Sequence, residues 1–190
     1  MVSKYRQLFN DHFSEQRYQW FQNDIARDFD YMPTFRIAET PFFISDELKA
    51  QLLEGCEQVI NLIKRPDFKQ LTEKSLELNT KVPNEDDHTT FLAIDFGICE
   101  ENGQTIPKLI EVQGFPSLFN YQFNLYYKFL KYYPILTETT PFIGINYREY
   151  LTILENAICN GHAKENVILL EIEPEKQNTK IDFYYARRDL

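Results

Sequence analysis

The sequence predicts an α+β fold in which helices pack on an antiparallel β-hairpin, followed by the first strand–helix unit of an α/β domain. Three observations predict it. Residues 45–63 carry a capped amphipathic helix, and residues 90–99 and 106–113 alternate apolar with polar side chains around a polar turn. An apolar run at 167–172 then gives way to a helical stripe that opens at Thr179.

The elements follow in chain order. Leu8, Phe9, Phe13, Tyr18, Phe21 and Ile25 recur at a rough helical period broken near Ser14, which predicts two short helices, or one bent helix, with Ser14 as a cap. Met32-Pro33 interrupts, and Phe35 to Glu39 alternates before Thr40-Pro41, predicting a short strand that runs into a turn. Ser45 followed by Asp46 and Glu47 starts a helix, because the hydroxyl accepts from open amides and the acids favour the positive end of the dipole. Leu48, Leu52, Cys56, Val59, Ile60 and Ile63 continue its apolar stripe, and Pro66 follows its stop.

Residues 79–90, polar and containing Pro83, read as a surface loop. The two alternating segments after it form a hairpin. Beyond Pro116, the aromatic run Leu118 to Tyr133 predicts a largely buried helix ending before Pro134. Arg148 to Cys159 predicts another, with Asn160-Gly161 as its C-cap. Val167 to Ile172 reads as a compact strand, and a helix begins after it. The chain stops at Leu190 inside that stripe, which reads equally as a cut within a βαβ unit or as a native C-terminal helix.

Composition excludes several function classes. With 43% hydrophobic and 26% charged residues over 190 positions, the chain has globular rather than disordered composition. Its net charge of -9 argues against a nucleic-acid partner. None of its 6 glycines forms a G-x-G-x-x-G or G-x-x-x-x-G-K-[ST] loop, and no G-x-S-x-G elbow is present. The 3 cysteines, Cys56, Cys99 and Cys159, are too scattered for a disulfide framework or a C-x-x-C metal site, so a reducing cytoplasm is the expected location. No apolar run approaches the roughly 18 residues of a membrane span, so no membrane partner is expected.

Any chemistry is expected on the hairpin. Leu92, Ile94, Phe96 and Ile98 form the apolar face of the first strand, and Ile106, Ile110 and Val112 that of the second. Opposed residues share a face, so matching apolar to apolar requires a loop of odd length near Gly103, which a two-residue Asn102-Gly103 turn would violate. Asp95 then lies opposite or close to Glu111, with Gln113 one pleat further on the same face. Three oxygen donors converging there suit a hard cation such as Mg²⁺, whereas two facing carboxylates with no counter-charge repel. Two other readings stay open at this point: a solvated face balanced by Lys108 or an arginine, and a general acid/base pair. His12, His88 and His162 are isolated and read as surface residues.

Ile94-Asp95-Phe96, Pro107-Lys108-Leu109-Ile110-Glu111-Val112-Gln113 and Phe115-Pro116-Ser117-Leu118 together resemble the circularly permuted ATP-grasp family of the glutathionylspermidine synthase type. That pattern reads R-x-D-F, a variable turn, P-K-L-L-E-x-N and then T-P-[ST]. Residues 166–170 and 182–190 resemble the strand and helix that open the next domain of related proteins, and Phe35 to Pro41 matches loosely. The resemblance implies an ATP-grasp-like portion over 1–162 and the start of an α/β domain over 163–190. It implies that Asp95, Glu111 and Gln113 hold the Mg²⁺ of bound ATP and that Ser117 lies near the reacting phosphate.

The implied activity is ATP-dependent ligation of a small-molecule carboxylate to an amine. Ala93 stands where the family has arginine, and Gln113 where it has asparagine. The ATP-gripping lysines of the family would follow Leu190, so by resemblance the 190 residues carry the metal face and are expected to be inactive alone. The alternative expectation is a non-enzymatic interaction or oligomerisation module on a degenerate scaffold of this kind, using the aromatic surface around Tyr121 to Tyr133.

Overall fold

A computed structural model describes residues 2–77, 80, 83–84, 88–114 and 117–190. Among them are seven α-helices and one two-stranded antiparallel sheet, so the α+β class is observed. The chain divides into two compact units, Met1–Phe43 with Pro116–Leu190, and Ile44–Phe115. The division at residue 162 expected from the resemblance falls inside the first of these.

In the first unit, α1 (Ser3–His12) and α2 (Glu15–Arg27) are separate helices because Ser14 is extended and its hydroxyl accepts the Arg17 N–H at 3.3 Å. α5 (Phe119–Tyr132), α6 (Tyr147–Cys159) and α7 (Lys180–Asp189) complete it. Asn146 and Glu149 form a reciprocal capping box at the start of α6, and Asn160 and Gly161 end it with φ of 44° and 80°. The core is aromatic: Phe9 lies 4.6 Å from Tyr133 and Phe21 4.6 Å from Phe129, ring centre to ring centre, and Ile25, Ile181 and Tyr185 close around them.

Two expected strands are not strands. Phe35 to Glu39 has no ladder; instead the Tyr18 hydroxyl of α2 donates to the Ile37 carbonyl, an acceptor that a neighbouring strand would otherwise use. Val167 to Ile172 likewise has no strand beside it among the described residues. Alternation of side chains sets which face is buried but supplies no pairing partner.

In the second unit, Ser45 caps α3 (Asp46–Ile63) by accepting the Leu48 N–H at 3.2 Å, and a short helix α4 (Phe68–Thr72) follows. β1 (Ala93–Glu101) and β2 (Gln104–Gln113) form the hairpin against α3. A Cβ on Gly55 would stand 2.9 Å from the Phe96 ring, so glycine at that turn of α3 lets the ring approach. Beside this contact runs an open groove of about 450 Å³ lined by Val59, Leu62, Phe96, Pro107 and Leu109. Parts of the expected 79–90 loop, and Phe115-Pro116, lie outside the described residues.

The hairpin corrects the odd-loop expectation. Its turn is the two-residue Asn102-Gly103, with φ of 52° and 76°, the left-handed pair that a type I′ turn demands. From there Glu101 faces Gln104 and the ladder runs regularly to Phe96 opposite Leu109. The register then shifts: Asp95 faces Glu111, leaving Ile110 as an extra residue in β2. A β-bulge thus supplies the parity change expected of the loop.

Candidate functional site

The far end of the hairpin brings Asp95, Glu111 and Gln113 onto one face, as expected. Asp95 lies directly opposite Glu111, and Ala93 opposite Gln113. All three polar side chains are exposed. The Gln113 amide nitrogen donates to Asp95 Oδ2 at 3.4 Å and to Glu111 Oε1, so one nitrogen atom touches both carboxylates. Facing carboxylates repel, and here the positive end of an amide dipole lies between them.

The proposed balancing role of Lys108 is not what the structure contains. Its ammonium pairs with Glu101 at 2.6 Å, two pleats toward the turn, and that bond raises the lysine pKa. Among the described residues, no lysine or arginine pairs with Asp95 or Glu111. Among the described residues, the carboxylates therefore have an amide dipole between them and no full positive charge.

The remaining expected residues lie elsewhere. Ser117 is exposed and belongs to the other compact unit, two residues before α5 begins. The aromatic surface on which an interaction module was expected is core: Tyr121, Phe123, Phe129 and Tyr133 are all buried. His12 and His162 are exposed, the former bonded to the Leu8 carbonyl of its own helix. All three cysteines are free thiols, and burial pushes the Cys56 thiol up. No cluster of three or more His, Cys, Asp or Glu side chains able to hold a metal occurs among the described residues, so a cation on the hairpin would need the Gln113 amide as its third ligand.

Two buried polar clusters of the first unit have no sequence motif. Asp182 of α7 accepts N–H groups from Leu118, Asn120 and Tyr121 at the start of α5. Asn124 donates to the Asn120 carbonyl and to Asp189, and accepts from Arg188 at 2.8 Å. Tyr147 donates to Asp189 at 2.8 Å. The donors and acceptors of Asn124 are thus consumed within the fold, and the cluster holds helices together rather than presenting open valences to a ligand.

Comparison with protein-family models, curated proteins and solved structures finds no match for this chain. Among the described residues, no helix is long and apolar enough to cross a membrane.

Proposed function

We propose that the hairpin face of Asp95, Glu111 and Gln113 binds Mg²⁺, and that the chain contributes this face to an ATP-dependent carboxylate–amine ligase of the circularly permuted ATP-grasp kind. The observation that carries the reading is the direct opposition of Asp95 and Glu111 with no basic side chain paired to either among the described residues. Two like charges at one rung cost stability unless a cation offsets them, so the pair is best explained by the ion it would hold.

The donor set fits the ion. Two carboxylates and an amide carbonyl are hard oxygen ligands of the type that Mg²⁺ takes, and nothing in the group favours a thiolate- or imidazole-seeking metal. Bound there, Mg²⁺ would offset the charge of ATP phosphates. Asp95 and Glu111 would supply the negative charge, and Gln113 would turn its oxygen inward as its nitrogen leaves the carboxylates. The family resemblance assigns Ser117, which is exposed, to the reacting phosphate, and small-molecule carboxylate and amine substrates would complete the reaction. The free thiols suit the cytoplasm.

Calorimetric titration of Mg²⁺ into the chain tests the site. Saturable heat is expected in the roughly millimolar range of a site with few protein ligands, lost in Asp95→Asn and in Glu111→Gln. Equal heat in the wild-type chain and both variants would overturn it. In a complete ligase the same substitutions abolish Mg-ATP turnover while leaving the fold intact, because both side chains are exposed.

A further inference from the structure

α3 and the hairpin pack together without closing a core. Among the described residues of Ile44–Phe115, Leu48 alone is buried. Further along α3, Val59 and Leu62 join Phe96, Pro107 and Leu109 as the floor of the open groove of about 450 Å³. Leu62 and Leu109 stay 49% and 53% exposed there. Apolar side chains left in water along a continuous trough mark an interaction surface.

We infer that this groove docks a basic amphipathic helix of a partner protein. Charge selects the sign of the partner. Residues 44–115 hold 14 acidic and 7 basic side chains, so they carry most of the chain's net charge of -9. The groove has the same bias: Glu54, with the amides of Gln51 and Gln58, forms its polar rim on α3, and among the described residues no lysine or arginine lines it. Lys108, the only basic residue of either strand, is held by Glu101 at 2.6 Å. A second copy docking through this face would bring one acidic rim against another, and nucleic acid or an anionic membrane would meet the same repulsion.

Shape selects a helix. The groove follows α3 from Gln51 to Leu62, about 16 Å or three turns at the helical rise. Strand addition is disfavoured on the β2 side. Glu101 and Gln104 flank the two-residue turn and exchange hydrogen bonds, so two rungs on, Ile98 and Pro107 form a pair whose backbone groups point away from each other. Pro107 has no N–H to offer at that outward edge, and an incoming strand would lose a bond beside the groove. A helix satisfies its own backbone and needs only apolar anchors at i, i+3, i+4 and i+7, with lysine or arginine beside them to meet Glu54. Phe96 and Leu109 point into the groove, so Asp95 and Glu111 occupy the opposite face of the hairpin, and the docking surface is separate from the proposed Mg²⁺ face.

Fluorescence anisotropy on the 190-residue chain tests the surface, with a labelled helical peptide of about 18 residues carrying leucine at i, i+3, i+4 and i+7 and lysine elsewhere. Roughly micromolar binding is expected, at least about tenfold tighter than that of a scrambled peptide of the same composition. Leu62→Lys and Glu54→Lys should each weaken it at least about fivefold without altering the far-UV circular dichroism, since both side chains are exposed. Ile153→Lys and Asp95→Lys make the same charge changes outside the groove on exposed positions and should leave it within about twofold. In amide NMR spectra of the wild-type chain, the peptide should shift residues 51–62 and 107–109 most. No binding, equal binding of the scrambled peptide, shifts centred away from the groove, or indifference to Leu62→Lys and Glu54→Lys would overturn the inference.

Discussion

Asp182 Oδ1 accepts the backbone N–H of Asn120 at 2.9 Å across a sequence separation of 62 residues. The same oxygen takes the Tyr121 N–H at 2.8 Å, and Oδ2 takes that of Leu118 at 2.8 Å. α5 has no cap of its own: Leu118, at its N-cap position, sits in the left-handed region at φ 72° and makes no side-chain cap bond. A carboxylate on α7 therefore does for α5 what Ser14 and Ser45 do locally for α2 and α3.

Replacing that carboxylate should loosen the junction of α5 and α7 more than an ordinary cap loss. Asp182→Ala leaves several amides buried without an acceptor and is expected to cost about 3 kcal/mol, against about 1 kcal/mol for Ser14→Ala or Ser45→Ala. Asp182→Asn, which keeps one oxygen, should fall between them. Urea denaturation of the four variants checks the order, and equal losses would mean that the tertiary cap is no stronger than a local one.

The buried acids give the first unit opposed responses to pH. Burial pushes the Asp24 carboxyl up, but bonds from Lys131 and Lys128 outweigh it and hold the group below its ordinary range. Asp189 is likewise raised by burial and lowered further by Arg188, Tyr147 and Asn124. Depressed carboxylates contribute stability that is present above their unfolded pKa, about 3.9, and lost as pH falls through the folded value. Asp182 has the other sign: burial raises it more than the amides of Tyr121, Leu118 and Asn120 lower it. The folded state then holds that proton more tightly, so stability rises as pH falls from its folded pKa toward about 3.9. Wild-type stability should therefore climb as neutral solution is acidified and collapse below about pH 4. Relief of the net charge of -9 adds to the climb, so the diagnostic quantity is the difference from Asp182→Asn, which should climb less and collapse alike. Parallel profiles would remove Asp182 from the account.

What was legible in the sequence was local. The cap of α3 and the end of α6 follow from residues adjacent to the helices they bound, Ser45 and the Asn160-Gly161 pair. The meeting of Asp95 with Glu111 followed from parity, because a one-residue slip would have turned the apolar face out. The route to it was not legible: Ile110 has no compositional mark of a bulge, while Asn102-Gly103, the strongest short-hairpin pair, conflicts with parity unless a bulge is present. Residues 35–39 and 167–172 alternate as strands do, yet an alternating segment becomes a strand only beside another. Asp182 was one acid among the 29 of the chain, its partners far off in sequence.

The bulge makes a sharp claim about Ile110. In the present ladder Phe96 faces Leu109 and Asp95 faces Glu111, with Ile110 opposite neither. Removing that residue therefore regularises the strand and keeps Asp95 against Glu111, rather than reversing the faces of the rest of β2 as deletion from a regular strand does. Ile110 is 68% exposed, and its side chain lies over Gly97, where a Cβ would be 3.5 Å from its Cδ1, so little packing is lost. A chain lacking Ile110 should stay within about 1 kcal/mol of the parent in urea and retain whatever Mg²⁺ response the parent gives. Deleting Phe96 instead removes the ring that packs against Gly55 of α3 and leaves a second residue of β2 without an opposite number, and should cost about 3 kcal/mol or more. Equal losses for the two deletions would mean that the ladder near Asp95 is regular and that the carboxylates meet by some other pairing.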